Sequence, residues 1–337
     1  MNNGIPLISV SAESVPEALY KLLDNVLRKG YHIRTAYDRK DTRTGEYIDP
    51  PGMDVSSAIL IRNPYAQPRY PRMSFMTIGA YIAETCWGVK DHRVLNQEEL
   101  KEKLTRGEFD ERQDSYWPYT YHQRLFAYPI SKGRTVNQVE KMLERLSKDP
   151  FSRRVTAVTF VPQIDQYIQG DLPCLQRIAL RCTEDKTGIL YLHMNTHWRS
   201  RDGYKGAPDN IIAMTFWQRE WAEQLSQMMN REVRVGLYKD FVDSFHIYGE
   251  DFEKYNVVKQ IKKLRNAVFW NKIIKAITFN RYTFKGIGMT SEDARDTRII
   301  PDLETLLDED SQWHFPQQAK DKLKKEIERM KKKEYLP

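Results

Sequence analysis

Pro173-Cys174 sets a lone thiol at the head of a β-rich run, and Arg199-Ser200-Arg201-Asp202, Gly206-Ala207-Pro208-Asp209-Asn210 and His246-Ile247-Tyr248 follow it in order. A cysteine that attacks carbon must be thiolate, and guanidinium groups nearby favour that form. By itself Cys174 reads more readily as a buried structural cysteine, because free thiols behave as small hydrophobes. Arg199 offers a planar, permanently charged fork for a phosphate, with the Ser200 hydroxyl as a neutral donor; its plainer reading is a surface salt bridge. Asn210 carries a donor and an acceptor, enough to read the edge of uracil or cytosine, or to cap a helix start. His246 and Tyr248 alternate on a strand-like segment, so both can point to one face and bind a sugar hydroxyl.

The elements that must position these residues are legible from periodicity. Ser14-Val15-Pro16-Glu17 has capping-box spacing, and Leu19, Leu22, Leu23, Val26 and Leu27 recur at helical period up to Gly30. Tyr31 to Met53 is polar and reads as a long surface loop. Ser57 to Ile61 is an expected strand, and Met76 to Trp87 an expected buried helix ended by Gly88. Val136, Val139, Leu143 and Leu146 define a helix capped by Thr135 that stops at Asp149-Pro150. Val155 to Val161 is β-rich, and Leu175 to Cys182 and Leu190 to Trp198 flank a hairpin turn at 184–188, which puts Cys174 at a strand start. Ile211, Met214, Trp217, Trp221, Leu225 and Met228 share one face of a helix begun by Pro208-Asp209. Glu232 to Phe241 is expected to be a strand with His246 beyond it. Gln317 to Glu334 alternates Lys and Glu around Leu323, Ile327 and Met330 and reads as a solvated helix.

In this order the motifs resemble the thymidylate synthase superfamily, which transfers one carbon from 5,10-methylenetetrahydrofolate to C5 of a pyrimidine nucleoside monophosphate. The resemblance is clearest over 76–248. It implies an α+β fold in a single large domain, a mixed β-sheet packed with helices, with 1–250 catalytic and 251–337 a helical or irregular extension. It makes Cys174 the nucleophile that adds to C6, Asn210 the base reader, and Asp202 a neighbour of the folate pterin. Arg199 and Ser200 become the phosphate clamp, and His246 and Tyr248 the sugar pair. Glu84-Thr85-Cys86-Trp87 resembles the helical Glu-x-x-Trp element whose glutamate organises proton transfer, and a carboxylate on an otherwise apolar helix is suggestive in itself. Asp149-Pro150-Phe151-Ser152-Arg153-Arg154 resembles the segment whose arginines reach the neighbouring subunit's phosphate, which implies a homodimer with Arg153 and Arg154 acting in trans. Asp41-Thr42-Arg43-Thr44-Gly45 resembles the mobile phosphate loop, although a second alignment points to Arg62, Arg69 or Arg72. Tyr121 and Arg124 resemble a Tyr-x-x-Arg segment whose register is open.

Three departures stand out. Leu175, Trp198 and Asp209 replace a histidine, a glutamine and an aromatic residue, and the chain ends in a lysine-rich run where synthases carry an apolar tail that closes over folate. Without such closure water, rather than folate hydride, completes the reaction. The expectation therefore leans to a hydroxymethylase acting on dUMP, dCMP or CMP, with thymidylate synthase proper as the alternative.

The bulk properties accommodate this reading. The 337 residues, 40% of them hydrophobic, can bury one large core, and 53 Lys+Arg against 46 Asp+Glu suit an anionic ligand without the dense basic tracts of a nucleic-acid binder. The three cysteines form no CxxC or disulfide framework, so the chain reads as cytoplasmic. No apolar run reaches spanning length, and no histidine has metal-ligand spacing. Two rivals remain. A non-catalytic nucleotide or RNA binder would use the aromatic and basic residues from Tyr116 to Arg124, and a cysteine hydrolase would need His246 hydrogen-bonded to Cys174.

Overall fold

The computed structural model describes residues 4–71, 77–108, 116–131, 133–168, 170–254, 258–259, 261 and 288–334. Met76, Arg72 and the terminal Tyr335-Leu336-Pro337 lie outside the described residues. The chain forms a mixed sheet packed with helices, and its contacts gather into two compact units: 1–76, 198–212 and 237–291, and 77–197, 213–236 and 292–337.

In the first unit, β1 (Leu7–Ala12) alternates exposed and buried residues and leads through Ser14 into α1 (Val15–Lys29). The expected capping box does not form, and Glu17 reaches one residue further back than the box requires. The Ser14 hydroxyl makes no cap bond, but the Glu17 carboxylate accepts from the Glu13 amide at 2.9 Å. Leu19, Leu22, Leu23 and Val26 are fully buried, as an apolar stripe on a sheet-packed helix demands. The polar stretch expected as one loop contains β2 (Tyr31–Ile33), which pairs antiparallel with β3 (Gly52–Ile61), and β3 begins five residues earlier than expected, at Gly52. β1 lies parallel to β3. Further on, β4 (Tyr70–Pro71) pairs with β11 (Gly288–Met289).

In the second unit, α2 (Ile78–Trp87) ends at Gly88 in the left-handed region, φ 65°, which spares glycine the Cβ penalty. It is followed by α3 (Gln97–Arg106), α4 (Tyr121–Phe126), the hairpin of β5 (Tyr128–Ser131) and β6 (Arg134–Val136), and α5 (Gln138–Lys148). The cap of α5 is Asn137, whose side chain accepts from Glu140 N, and not Thr135, which the hairpin claims. β7 (Thr156–Val158) is short because Pro162 opens α6 (Pro162–Asp165), a proline at a first helical turn. β7 pairs with β8 (Leu175–Glu184), and the expected turn delivers the chain to β9 (Leu190–Asp202).

α7 (Gly206–Met229) starts two residues before the expected Pro208. Ile211, Met214, Trp217, Trp221 and Leu225 are buried, whereas Met228, assigned to the same face, is 49% exposed as the helix leaves the core. β10 (Val233–Ile247) runs longer than expected, with a register shift between Val242 and Phe245, so His246 lies inside the strand. In the first unit β10 pairs antiparallel with β3. After α8 (Gly249–Lys254), the last helices of the second unit are α9 (Ile300–Asp308), α10 (Asp310–Trp313) and α11 (Gln317–Lys331). α11 is less solvated than its composition suggests: Leu323, Ile327, Met330 and even Glu326 are buried, and the helix packs on α9. α9 in turn seats on α2, where the Gly79 amide donates to Asp302 at 2.9 Å. A Cβ at Gly79 would meet the Ile299 carbonyl at 2.5 Å, so this close approach requires glycine.

Candidate active site

In the second unit, Cys174 is half-buried and immediately precedes β8, so the pairing of that strand fixes its backbone. The next amide, Leu175 N, donates to the Tyr121 hydroxyl at 3.3 Å, which ties α4 to the thiol's flank. Tyr121 and Glu84 line a cavity of about 340 Å³ with Tyr81, Trp117, Pro118, Tyr119, Thr120 and Asp171. Flat aromatic walls with a few polar groups suit a heterocyclic ligand. Cys86 and Cys182 are both buried, and burial pushes the Cys182 thiol up to about 11.

Glu84 projects from α2, and burial raises its carboxyl above the ordinary glutamate value. Lys90 Nζ, 3.3 Å away, opposes that shift, whereas Asp91 adds to it. Asp91 accepts from Thr120 at 2.5 Å and pairs with His122 Nδ1 at 2.6 Å. Trp87, one turn from Glu84, packs edge-on against Phe216 with ring centroids 6.1 Å apart. Arg124, in contrast, is committed to structure. It is fully buried with Asp165, bonding that carboxylate at 2.7 and 3.3 Å and the Thr159 carbonyl at 3.4 Å, so no donor fork is left for a ligand. Arg153 and Arg154 are exposed, and among the described residues neither guanidinium makes an ion pair.

In the first unit, His246 and Tyr248 meet edge to face at 4.6 Å. Burial lowers the His246 pKa against the upward pull of Asp202 and Asp54, with Lys205 adding to the fall. Its Nδ1 lies 3.4 Å from the Ser244 hydroxyl and carbonyl, while Nε2 is buried with no hydrogen-bond partner among the described residues. Such an orphaned nitrogen suits a ligand hydroxyl. The Asp202 carboxylate accepts from the Tyr204 and Lys205 amides at 3.0 and 2.9 Å and faces the Lys205 ammonium at 3.5 Å. Arg199 and Ser200 are half-buried on β9, and Asn210 is half-buried in the first turn of α7. Their neighbour Arg201 is a core residue, stacked 3.9 Å over Trp198 and paired with Asp240. Leu175, Trp198 and Asp209 are all fully buried.

Arg43 sits on an exposed turn in which the Asp41 carboxylate accepts from the Arg43 and Thr44 amides, and its side chain is 88% exposed. Of the alternatives, Arg62 is exposed, and Arg69 is wholly buried between Tyr65 and Tyr70.

Sequence reasoning missed Lys90, Asp91 and Asp171, and saw Trp117 only as part of a stacking surface. The aromatic run from Tyr116 to Tyr121 was the available signal. Its residues Trp117, Tyr119 and Tyr121 line the cavity.

These features define a mixed sheet packed with helices in which a half-buried thiol stands one residue from the amide that bonds a cavity-lining tyrosine. The sequence profile of the thymidylate synthase family matches residues 21–293, and the chain belongs to that family. A "Putative thymidylate synthase" of Methanosarcina mazei is 27% identical over 256 residues, 75% of this chain and 95% of that protein. Another of that name, from Methanococcoides burtonii, is 30% identical over 245 residues, 73% of this chain and 91% of that protein. The solved structure of thermostable thymidylate synthase A from Bacillus subtilis superposes with a TM-score of 0.51 at 17% identity, over 74% of this chain and 84% of that one. The protein is therefore a one-carbon transferase enzyme of thymidylate synthase type. The family uses methylenetetrahydrofolate and a pyrimidine nucleotide and is generally dimeric. Among the described residues no helix is long and apolar enough to cross a membrane, and no group of side chains could hold a metal.

Proposed function

We propose that this enzyme hydroxymethylates C5 of a pyrimidine nucleoside monophosphate, with methylenetetrahydrofolate supplying the one-carbon unit. The observation that carries the reading is the cavity shared by Glu84 and Tyr121, with Tyr121 bonded one residue from Cys174. The Cys174 thiolate adds to C6 of the base and makes C5 nucleophilic. Glu84, whose carboxyl burial holds above the ordinary glutamate value, holds and releases protons at the base. The aromatic walls of Trp117, Tyr119 and Tyr121 receive the flat rings and exclude water. Asn210 reads the base edge and Asp202 serves the pterin. His246, through its orphaned Nε2, and Tyr248 bind the sugar hydroxyl. Arg199, Ser200 and Arg43 bind the phosphate, with Arg153 and Arg154 contributed across a homodimer.

The hydroxymethyl outcome is favoured because the apolar seam of α11 is buried on α9, which commits that helix to the fold instead of a cover for the cavity. The test offers dUMP, dCMP, UMP and CMP with methylenetetrahydrofolate and weighs the products. A 5-hydroxymethyl nucleotide without dihydrofolate supports the proposal. A methyl product with dihydrofolate identifies the synthase reaction instead.

A further inference from the structure

Lys90 is a buried cation with an unusual setting. It is 8% exposed, and its Nζ lies 3.9 Å from the centre of the Trp313 ring, 5.2 Å from that of Trp117 and 3.3 Å from Glu84 Oε2. The two indoles meet edge to face at 6.0 Å and 74°, forming a corner that leaves the ammonium directed at the carboxylate. Ring faces replace part of the lost hydration of a buried ammonium, so the corner favours the ammonium's place beside the carboxylate. Among the described residues, Glu84 is the carboxylate with which Lys90 pairs.

Trp313 comes from α10, beyond the 21–293 span of the family match. Two contacts hold it, and a third braces the histidine that makes one of them. Its indole donates to Glu309 at 3.0 Å, its carbonyl lies 3.0 Å from His92 Nε2, and nearby Phe315 packs edge-on against His92 at 5.9 Å. Behind it, Asp302 binds the first turn of α2, the helix that bears Glu84.

We infer that Lys90 is a positioning residue for Glu84, and that the C-terminal segment completes the active site by closing the indole corner with Trp313. The inference rests on the proposed role of Glu84 in proton transfer. Without Lys90 the carboxylate would lose its cation while Asp91 still repels it from the same loop, so its proton would be held more tightly. The other titratable groups lining that cavity are Asp171, Tyr81, Tyr119 and Tyr121.

The test follows the Glu84 carboxyl by carbon-13 NMR in glutamate-labelled full-length protein, assigned with Glu84→Gln, alongside the pH profile of kcat. Lys90→Met should move the Glu84 titration to higher pH and lower kcat at neutral pH by about 10- to 100-fold, the cost expected of a misplaced catalytic group. KM for the nucleotide should stay within about twofold, because Lys90 acts on proton transfer and not on uniform binding. Trp313→Ala should shift the titration in the same direction by less, whereas Lys90→Arg and Trp313→Phe, which keep the charge and a ring face, should restore most of it. An unmoved Glu84 titration in folded Lys90→Met overturns the inference, as does a Trp313→Ala enzyme matching the parent across the profile. A folded parent that turns over no nucleotide defeats the proposed function instead, and the titration still decides the role of Lys90.

Discussion

Arg124→Met tests whether that residue serves the fold or a ligand. The substitution removes the hydrogen bonds at 2.7 and 3.3 Å to Asp165 and the one at 3.4 Å to the Thr159 carbonyl, and leaves Asp165 with the Val161 amide at 2.6 Å. Both side chains are 0% exposed, so water cannot take the place of the guanidinium. Breaking one side of such a buried pair costs about 3–5 kcal/mol, most of it the unpaired carboxylate left behind. Burial already pushes the Asp165 carboxyl up and Arg124 pulls it down. With Arg124 gone the folded-state value rises further above the unfolded one. A group shifted in that sense favours folding below its unfolded pKa and loses that contribution as pH rises through the folded value. The variant's deficit should therefore be larger at about pH 7 than at about pH 4.5. Urea unfolding at both pH values measures it, and the double variant Arg124→Met/Asp165→Leu should recover much of the loss. A deficit below about 1 kcal/mol, or one unchanged between the two pH values, would refute the reasoning and return Arg124 to the list of candidate ligand contacts.

Two further outcomes follow from packing. Gly79→Ala puts a methyl group against the Ile299 backbone and the Asp302 Cβ, at 2.5 and 2.8 Å, so α9 must shift; a loss of about 1–3 kcal/mol is expected, read as a lower Tm and faster proteolysis of 292–334. Iodoacetamide should label the native protein once, at half-buried Cys174, while Cys86 and Cys182 react only after denaturation, because burial shields both and holds the Cys182 proton to about 11. Intact mass before and after Cys174→Ser reads this directly, and early labelling of Cys182 would contradict it.

What the sequence disclosed depended on how local the cause was. The apolar stripe of α1, the glycine stop of α2 and the hairpin that places Cys174 before β8 are set by neighbours a few residues apart, and each forms where periodicity puts it. Boundaries shifted where a longer-range partner intervened: β2 exists because β3 pairs with it, and β10 continues through His246 because β3 carries it on. The pairing of Arg124 with Asp165 spans 41 residues and that of Lys90 with Trp313 more than 200, so no local pattern could announce either. α11 illustrates the same limit. Its Lys/Glu alternation describes the outer face faithfully, while the burial of Leu323, Ile327 and Met330 depends on α9 arriving beneath them.

The central claim is that the Cys174 thiolate opens a reaction at C5 of a pyrimidine nucleotide. Its most direct test incubates pyrimidine nucleoside monophosphates tritiated at C5 with the enzyme and methylenetetrahydrofolate and counts tritium released to water. The account predicts release with the parent enzyme and none above background with Cys174→Ser, although that variant still binds nucleotide. Equal release by both proteins, or none by a folded parent with any of the four nucleotides, would contradict it.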